Sequence, residues 1–475
     1  MFMVHNLPAE YEKLSTQEIK DRISRIKNRL GKNLLILAHH YQSDDIVSFA
    51  DFTGDSLELS RKASQSEANL IVFCGVHFMA EAAHILAREG QTIVLPDLDA
   101  GCPMADMASI GEVESAWAQL TSLGDIDKTL MPVTYINSSA ELKAFCGKHG
   151  GIVCTSANAS AALDWAFARR SKVVFLPDQH LGRNTAELKG IGSEETILWE
   201  SFLPFGGNSQ DALKRAKIIF WNGHCHVHTR FTYEHVQKAR KNYPGGKIVV
   251  HPECPREVIR ASDASGSTGF IVRYVAEAPE GSTILIGTEI NLVGRLAKAH
   301  PGKVILPLER SLCPNMFKTG VEDLLFVLDN PGKVNVIQVP AEITRQAKIA
   351  LQNMLDLPMP AQKTPLTGLA GKKCLPCQGG ISPMTRVQAE SFLSQARDWF
   401  LSEDGTSIYK KFFFHDFSQS MTFAQKVGQL AEIEGHHPTL SIGWGYCLVT
   451  FRTGKIKGLH ENDFIMAAKV NALIP

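Results

Sequence analysis

The sequence predicts an α/β protein in its larger N-terminal part and a small, separate α+β domain after it. Three observations predict this. Nine short, nearly continuous apolar runs follow one another: LLILA, LIVF, TIVL, GIVC, KVVFL, KIIFW, KIVV, STILIG and KVILPL. Strands buried on both faces look like this, because helices cover both sides of a parallel sheet. Helical patterns such as AEAAHILAREG and SAALDWAFARR separate them, and strand–helix alternation over about 330 residues argues for α/β layers. That length is too great for one sheet, so two or three similar α/β units are expected. The character then changes near residue 356, where LPMPAQKTPLTGLAGKK carries three prolines and two glycines without periodicity and reads as a linker.

In chain order, the first element is a helix. Ser15 and Glu18 stand at capping-box spacing, and Ile19, Ile23, Ile26 and Leu30 form one stripe up to Gly31. The strands and helices of the first region, 1–356, follow it; 357–371 form the linker and 372–475 the second domain. There Thr385 and Gln388 can cap a helix carrying Phe392, Ala396 and Trp399, after which SIYKKFFFHDF alternates as a strand does. Phe423, Val427 and Leu430 mark a second helix stopping at Gly435, YCLVTFRT is another strand, and Glu461-Asn462-Asp463 opens a final helix. Strands packed on segregated helices over about 100 residues make an α+β domain.

Composition narrows the function classes. Apolar residues make up 44% of the 475 and charged residues 21%, which excludes a disordered chain, a collagen and a disulfide miniprotein. The 49 basic residues balance 49 acidic ones, so no global field draws nucleic acid or an anionic membrane. No run approaches the roughly 18 apolar residues of a membrane span, and MFMVHNLPAEYEKLS lacks a secretory leader. Ten scattered cysteines suit a reducing compartment. The expectation is a soluble cytoplasmic protein with no nucleic-acid and no membrane partner.

In open parallel sheets, ligands bind beyond the carboxyl ends of the strands. Here the runs end repeatedly in chemically loaded residues. LLILA leads into His39-His40-Tyr41, MPVTYIN delivers Tyr135 and Asn137, and GIVC ends at Cys154-Thr155-Ser156. KIIFW precedes GHCHVH, KIVV precedes His251-Pro252-Glu253-Cys254, and KVILPLERSL runs into Cys313-Pro314-Asn315-Met316. One histidine after a strand is ordinarily structural; six such junctions suggest strand ends converging on one polar cavity. Cys74 and Cys146 read as buried hydrophobes. Cys102, Cys154, Cys225, Cys254 and Cys313 lie where a ligand would be placed, and soft thiolates from distant loops could hold zinc or an iron–sulfur cluster. Spacing does not choose among these five. The turn Gly266-Ser267-Thr268-Gly269 could cradle an oxyanion, while the lack of a Walker loop and of GxGxxG disfavours nucleotide binding.

Residues 1 to about 356 resemble quinolinate synthase, the iron–sulfur enzyme of NAD biosynthesis. The resemblance rests on LAHHYQ, DFTGDSLELS, FCGVHFMAE, AGCPMADM, TYINSSAELKAFCG, VCTSANA, PDQHLGRNT, GHCHVH, HPEC, GSTG, GTEINLV and CPNM, in family order. It implies three similar α/β units around a pseudo-threefold axis with the site at the centre. It also implies a [4Fe–4S] cluster held by Cys102, Cys225 and Cys313, with Cys254 not a ligand and the fourth iron open as a Lewis acid. The implied reaction condenses iminosuccinate with dihydroxyacetone phosphate, releasing phosphate and two waters as the pyridine ring closes. Residues at family substrate positions are His39, Ser56, Tyr135, Asn137, Ser156, His251, Glu253 and Thr268, with Ser267 beside Thr268. Tyr41, His228 and Glu253 match the positions assigned general acid–base work. An aspartate-oxidising enzyme would supply the imine upstream.

Residues from about 372 to 475 resemble pterin-4a-carbinolamine dehydratase through CLPCQGG, EGHHP and GLHENDFIMAAKV. In that family a histidine pair, matched here by His436 and His437, expels the 4a-hydroxyl of a hydroxylated tetrahydropterin. The family's third histidine, after a threonine, is replaced: Thr453 is followed by Gly454, with His460 a substitute at most. Cys374 and Cys377 form a CxxC whose second pair is missing. Other readings stand beside these. An iron–sulfur hydro-lyase of another substrate shares the open-iron logic, whereas an electron-transfer protein would want four thiolates. The small domain could instead be a non-catalytic module that binds a pterin or drives homo-oligomerisation, and oligomeric state is left open.

Overall fold

Each of the nine apolar runs forms a parallel strand in the computed structural model, which describes residues 7–124, 126–358, 369, 372, 374, 382–393, 396 and 398–473. The chain divides into two compact units, Met1–Pro360 and Ala361–Pro475. Most of the expected linker and Cys377 lie outside the described residues.

The first unit holds three parallel sheets. One is β1 (Leu34–His39), β2 (Phe52–Gly54), β3 (Leu70–Cys74) and β4 (Thr92–Val94), in the order β2-β1-β3-β4. The next is β5 (Leu130–Tyr135), β6 (Ile152–Cys154), β7 (Lys172–Leu176), β8 (Thr196–Trp199) and β9 (Ile218–Trp221), in the order β6-β5-β7-β9-β8. The third is β10 (Lys247–Val250), β11 (Ala264–Ser265), β12 (Thr283–Gly287) and β13 (Val304–Pro307), in the order β11-β10-β12-β13. The second-first-third start recurs in all three, so a repeat invisible in the residues is visible in the topology. Strands β2 and β11 carry no continuous apolar run, and β8 has a short one, Ile197-Leu198-Trp199. Each is short and sits at a sheet edge, where it is covered on fewer sides.

Helices over the sheets start as the capping rules require. Ser15 accepts the Glu18 N–H and Glu18 accepts the Ser15 N–H at 2.9 Å, closing a capping box on the helix Thr16–Leu30. Its stripe of Ile19, Ile23 and Ile26 is buried with Leu324, Leu325 and Leu328 of the helix Val321–Asp329. Each such isoleucine contributes about 1.5–3 kcal/mol by leaving water. Three further caps matter for the site: Asp55 on Ser56–Gln65, Ser267 on Thr268–Glu277 and Glu289 on Ile290–Ala299. Among the described residues, no helix is long and apolar enough to cross a membrane.

The second unit is an antiparallel sheet, β14 (Phe400–Leu401), β15 (Ile408–Phe413), β16 (Thr439–Gly443) and β17 (Tyr446–Phe451), in the order β14-β15-β17-β16. Helices Phe417–Glu434 and Glu461–Asn471 share its core through Phe412, Phe423, Val427, Val449, Phe451 and Phe464. Gly435, at φ 63°, ends the first of these in the left-handed conformation glycine favours. The helix expected to carry Phe392, Ala396 and Trp399 is shorter, Arg386–Leu393. Ala396 and Trp399 are buried outside it, and Asp398 between them takes φ 62°, which a helix cannot hold.

Candidate active site

The carboxyl ends of the parallel strands in the first unit open onto one cavity. Cys102 follows β4, Cys225 follows β9 and Cys313 follows β13, so each sheet sends one thiol into the wall. His39 and Tyr41 come from the end of β1, and Ser56 from the helix after β2. Tyr135 and Asn137 close β5, Ser156 follows β6, and His228 lies just beyond Cys225. His251 and Glu253 follow β10, and Thr268 opens the helix after β11. Ser267 stands apart. Its hydroxyl accepts the Phe270 N–H at 3.2 Å and bonds to Asp55, capping its helix instead of lining the cavity.

Geometry separates the five cysteines that spacing left equal. Cys154 and Cys254 are wholly buried in the core, with Cys254 Sγ 3.8 Å from the Gly287 carbonyl, as Cys74 and Cys146 are buried too. The three that line the cavity keep partial exposure. Burial pushes the Cys102 thiol up to about 12, with the neighbouring Cys313 adding to the shift. Burial raises Cys225 and Cys313 as well, and the charge of Glu253 adds to both. These thiols give up their protons when a metal binds.

A buried acid–base cluster faces them. His228 Nδ1 lies 2.6 Å from Glu253 Oε2, with the oxygen off the line of the ring N–H, so the contact is electrostatic more than a well-aligned hydrogen bond. His228 stacks on His251 with ring centres 4.3 Å apart and planes 20° from parallel. Burial works against ionisation of Glu253, but the imidazoles of His228 and His251 outweigh it and hold the carboxyl at about 2. Burial, reinforced by His228, brings His251 down to about 3, and its Nε2 meets Ser156 Oγ at 3.2 Å. Burial likewise lowers His39, whose Nδ1 accepts the Tyr41 backbone N–H at 3.2 Å. Tyr41 and Tyr135 are both raised well above 10 by burial, so both hydroxyls keep their protons; Tyr135 donates to Glu253.

Two buried polar residues escaped the sequence reading. Asp55 lines the cavity and caps its helix by accepting the Leu57 and Glu58 N–H groups at 3.1 and 3.0 Å. The DSLE capping spacing would have found it. Thr288 follows β12 and bonds the Tyr41 hydroxyl, a strand-end position of the kind already used for His39 and His251.

In the second unit, EGHHP folds so that its two histidines diverge. His436 is buried, stacks against Phe451, and places Nε2 2.8 Å from Asp463 Oδ1. His437 is exposed, with Nε2 3.0 Å from Glu432 Oε1. Fully buried Asp463, absent from the sequence-based site, also accepts the Thr453 hydroxyl at 2.8 Å and the His460 N–H at 2.7 Å. The His460 ring accepts the Asn462 N–H at 3.3 Å and so serves as a helix cap. Gly454 has no atom within 4 Å of the place a Cβ would take.

Known proteins match both parts. The family described as Quinolinate synthetase A protein matches residues 21–356, and that described as Pterin 4 alpha carbinolamine dehydratase matches residues 382–473. A quinolinate synthase from Corynebacterium glutamicum is 49% identical over 365 residues, covering 76% of this chain and 92% of that one. One from Acidobacterium capsulatum is 49% identical over 354 residues, covering 73% and 95%. A crystal structure of a transcriptional coactivator/pterin dehydratase from Brucella melitensis is 28% identical, covering 20% of this chain and all of its own, at a TM-score of 0.19. With relatives near half identical across almost their whole length, the chain belongs to the quinolinate synthetase A family, and its C-terminal part is similar to pterin 4 alpha carbinolamine dehydratases.

Proposed function

We propose that the first unit condenses iminosuccinate with dihydroxyacetone phosphate to quinolinate, phosphate and two waters, using a [4Fe–4S] cluster on Cys102, Cys225 and Cys313. The observation that carries this is one thiol from each of three sheets in one cavity, facing the His228–Glu253 cluster. The donors fit that group, since the cavity wall holds these three cysteines and no fourth. When bound, the cluster supplies a Lewis-acidic iron with one position open to substrate.

The remaining chemistry falls to side chains. Ser56, Asn137, Ser156 and Thr268 offer neutral donors to the two carboxylates of iminosuccinate, and neutral His39 and His251 orient them. Ionised Glu253 faces His228 Nδ1 at 2.6 Å. His228 Nε2 lies 3.3 Å from the Tyr41 hydroxyl, so protons released at ring closure and consumed in dehydration have a path between imidazole and phenol.

The test is anaerobic protein analysed for iron and sulfide and assayed with iminosuccinate made in situ. About four irons per chain and quinolinate formation are expected. Iron-replete protein that makes no quinolinate overturns the reading. For the second unit we propose a hydroxylated tetrahydropterin as ligand, with weak dehydration. Support comes from the family match and from His436 held by Asp463; the weakness follows from Gly454.

A further inference from the structure

Three side chains of the cavity converge more closely than acid–base work requires. Among the described residues, Cys225, His228 and Glu253 are the one set whose ligand atoms all lie within 4.8 Å of one another. Donors around a tetrahedral zinc sit about 3.3–3.8 Å apart, so closure onto one ion needs shifts of about 1 Å. The set offers one sulfur, one nitrogen and one oxygen, and its two negative groups match a divalent charge. His228 and Glu253 side chains are both only 2% exposed. His228 Nδ1 is buried without an aligned hydrogen bond, while Nε2 is held 3.1 Å from Thr288 Oγ1. This is how a ligating imidazole is arranged, with one nitrogen toward the ion and the other oriented by a fixed neighbour.

We propose that whenever Cys225 is not engaged by a cluster, Cys225 Sγ, His228 Nδ1 and Glu253 bind a single soft divalent cation, Zn²⁺ above all, with water in the fourth position. Binding is redox-neutral: the Cys225 thiol releases its proton to solvent as the sulfur–metal bond forms. The ion competes with cluster assembly because Cys225 is shared, and it removes His228 and Glu253 from proton transfer. The metal site itself goes beyond the proposed reaction; only the competition rests on it.

The experiment uses reduced, cluster-free, full-length protein in a Cys374→Ser, Cys377→Ser background, titrated anaerobically with Co²⁺ and then displaced with Zn²⁺. One Co²⁺ per chain is expected, with a near-ultraviolet charge-transfer band of one thiolate. Cys225→Ser should abolish the band, Glu253→Gln and His228→Gln should weaken binding at least tenfold, and Cys102→Ser and Cys313→Ser should leave it. Should a variant fail to fold, alkylation mapping of unmutated protein decides: Zn²⁺ should shield Cys225 and leave Cys102 and Cys313 reactive. A band of two or three thiolates, equal shielding of all three cysteines, or no stoichiometric binding overturns the proposal. Zn²⁺-loaded protein should also take up no cluster iron until a chelator is added. Uptake at the rate of metal-free protein would refute the competition alone.

Discussion

The Tyr41 hydroxyl lies 2.6 Å from Thr288 Oγ1, and Thr288 Oγ1 lies 3.1 Å from His228 Nε2. Three residues far apart in sequence thus form one buried triangle behind the cavity wall. Thr288 touches both proposed acid–base groups and does not itself line the cavity. Thr288→Val keeps the shape and removes both hydrogen bonds, each contributing about 0.5–1.5 kcal/mol. The expected result is kcat reduced about ten- to a hundredfold, KM nearly constant, and recovery in Thr288→Ser. A Thr288→Val enzyme with unchanged kcat would show that the triangle does no positioning.

Replacing Cys102, Cys225 or Cys313 by serine should each abolish the brown iron–sulfur absorbance and quinolinate formation, while Cys254→Ser keeps a cluster. Cys254 is sealed in the core against the Gly287 carbonyl, so its loss perturbs packing without emptying a ligand position. Iron content and visible absorbance of the four variants decide the assignment. Loss of the cluster in Cys254→Ser with its retention in Cys313→Ser reverses it.

Acid should destabilise the first unit through His40. Burial, aided by Arg295, brings this imidazole down to about 4 from an ordinary value near 6.5. As pH falls through 6.5 the unfolded chain takes up a proton that the folded chain refuses. Stability is therefore present above 6.5 and lost between about 6.5 and 4, with a slope of up to about 1.4 kcal/mol per pH unit. Denaturant unfolding at pH 7, 6 and 5 should show this slope reduced in His40→Gln. Equal slopes in both proteins would mean that other groups govern the acid limb.

In the second unit, Asp463→Asn should cost about 3 kcal/mol, because an amide cannot accept from His436, Thr453 and His460 together. Gly454→His should leave the melting temperature nearly unchanged, since open space surrounds the new Cβ, and should raise turnover of a 4a-hydroxytetrahydropterin. Full turnover already present with Gly454, and indifferent to the substitution, would show that a third histidine is dispensable.

What the sequence displays follows burial. Runs such as KVVFL and KIIFW are legible because helices cover both faces of their sheet, and His39, Tyr135 and His251 are legible because each ends such a run. Strands β2, β8 and β11 are less legible, since most of their residues are only half-buried, whereas the edge strands β4 and β6 keep buried apolar runs. Ser267 and Thr268 look equivalent in GSTG, yet one turns inward to its helix and the other to the cavity, a choice made by backbone direction. His436 and His437 are parted in the same way. Asp463 shows only a capping spacing to His460, because its partners Thr453 and His436 reach it only after the strands and the final helix pack.

The cavity has a biosynthetic consequence. Its wall runs from His39 to Met316, so a nascent chain on the ribosome has no site until the third sheet has been made. Cys102 is translated more than two hundred residues before Cys313 and must wait as a lone thiol, open to oxidation or to stray metal. The proposed cluster can thus be loaded only after the third sheet and the Cys313 loop have been made. The Asp463 cluster, drawn from residues 436–463, closes within one late stretch of chain and has no such delay.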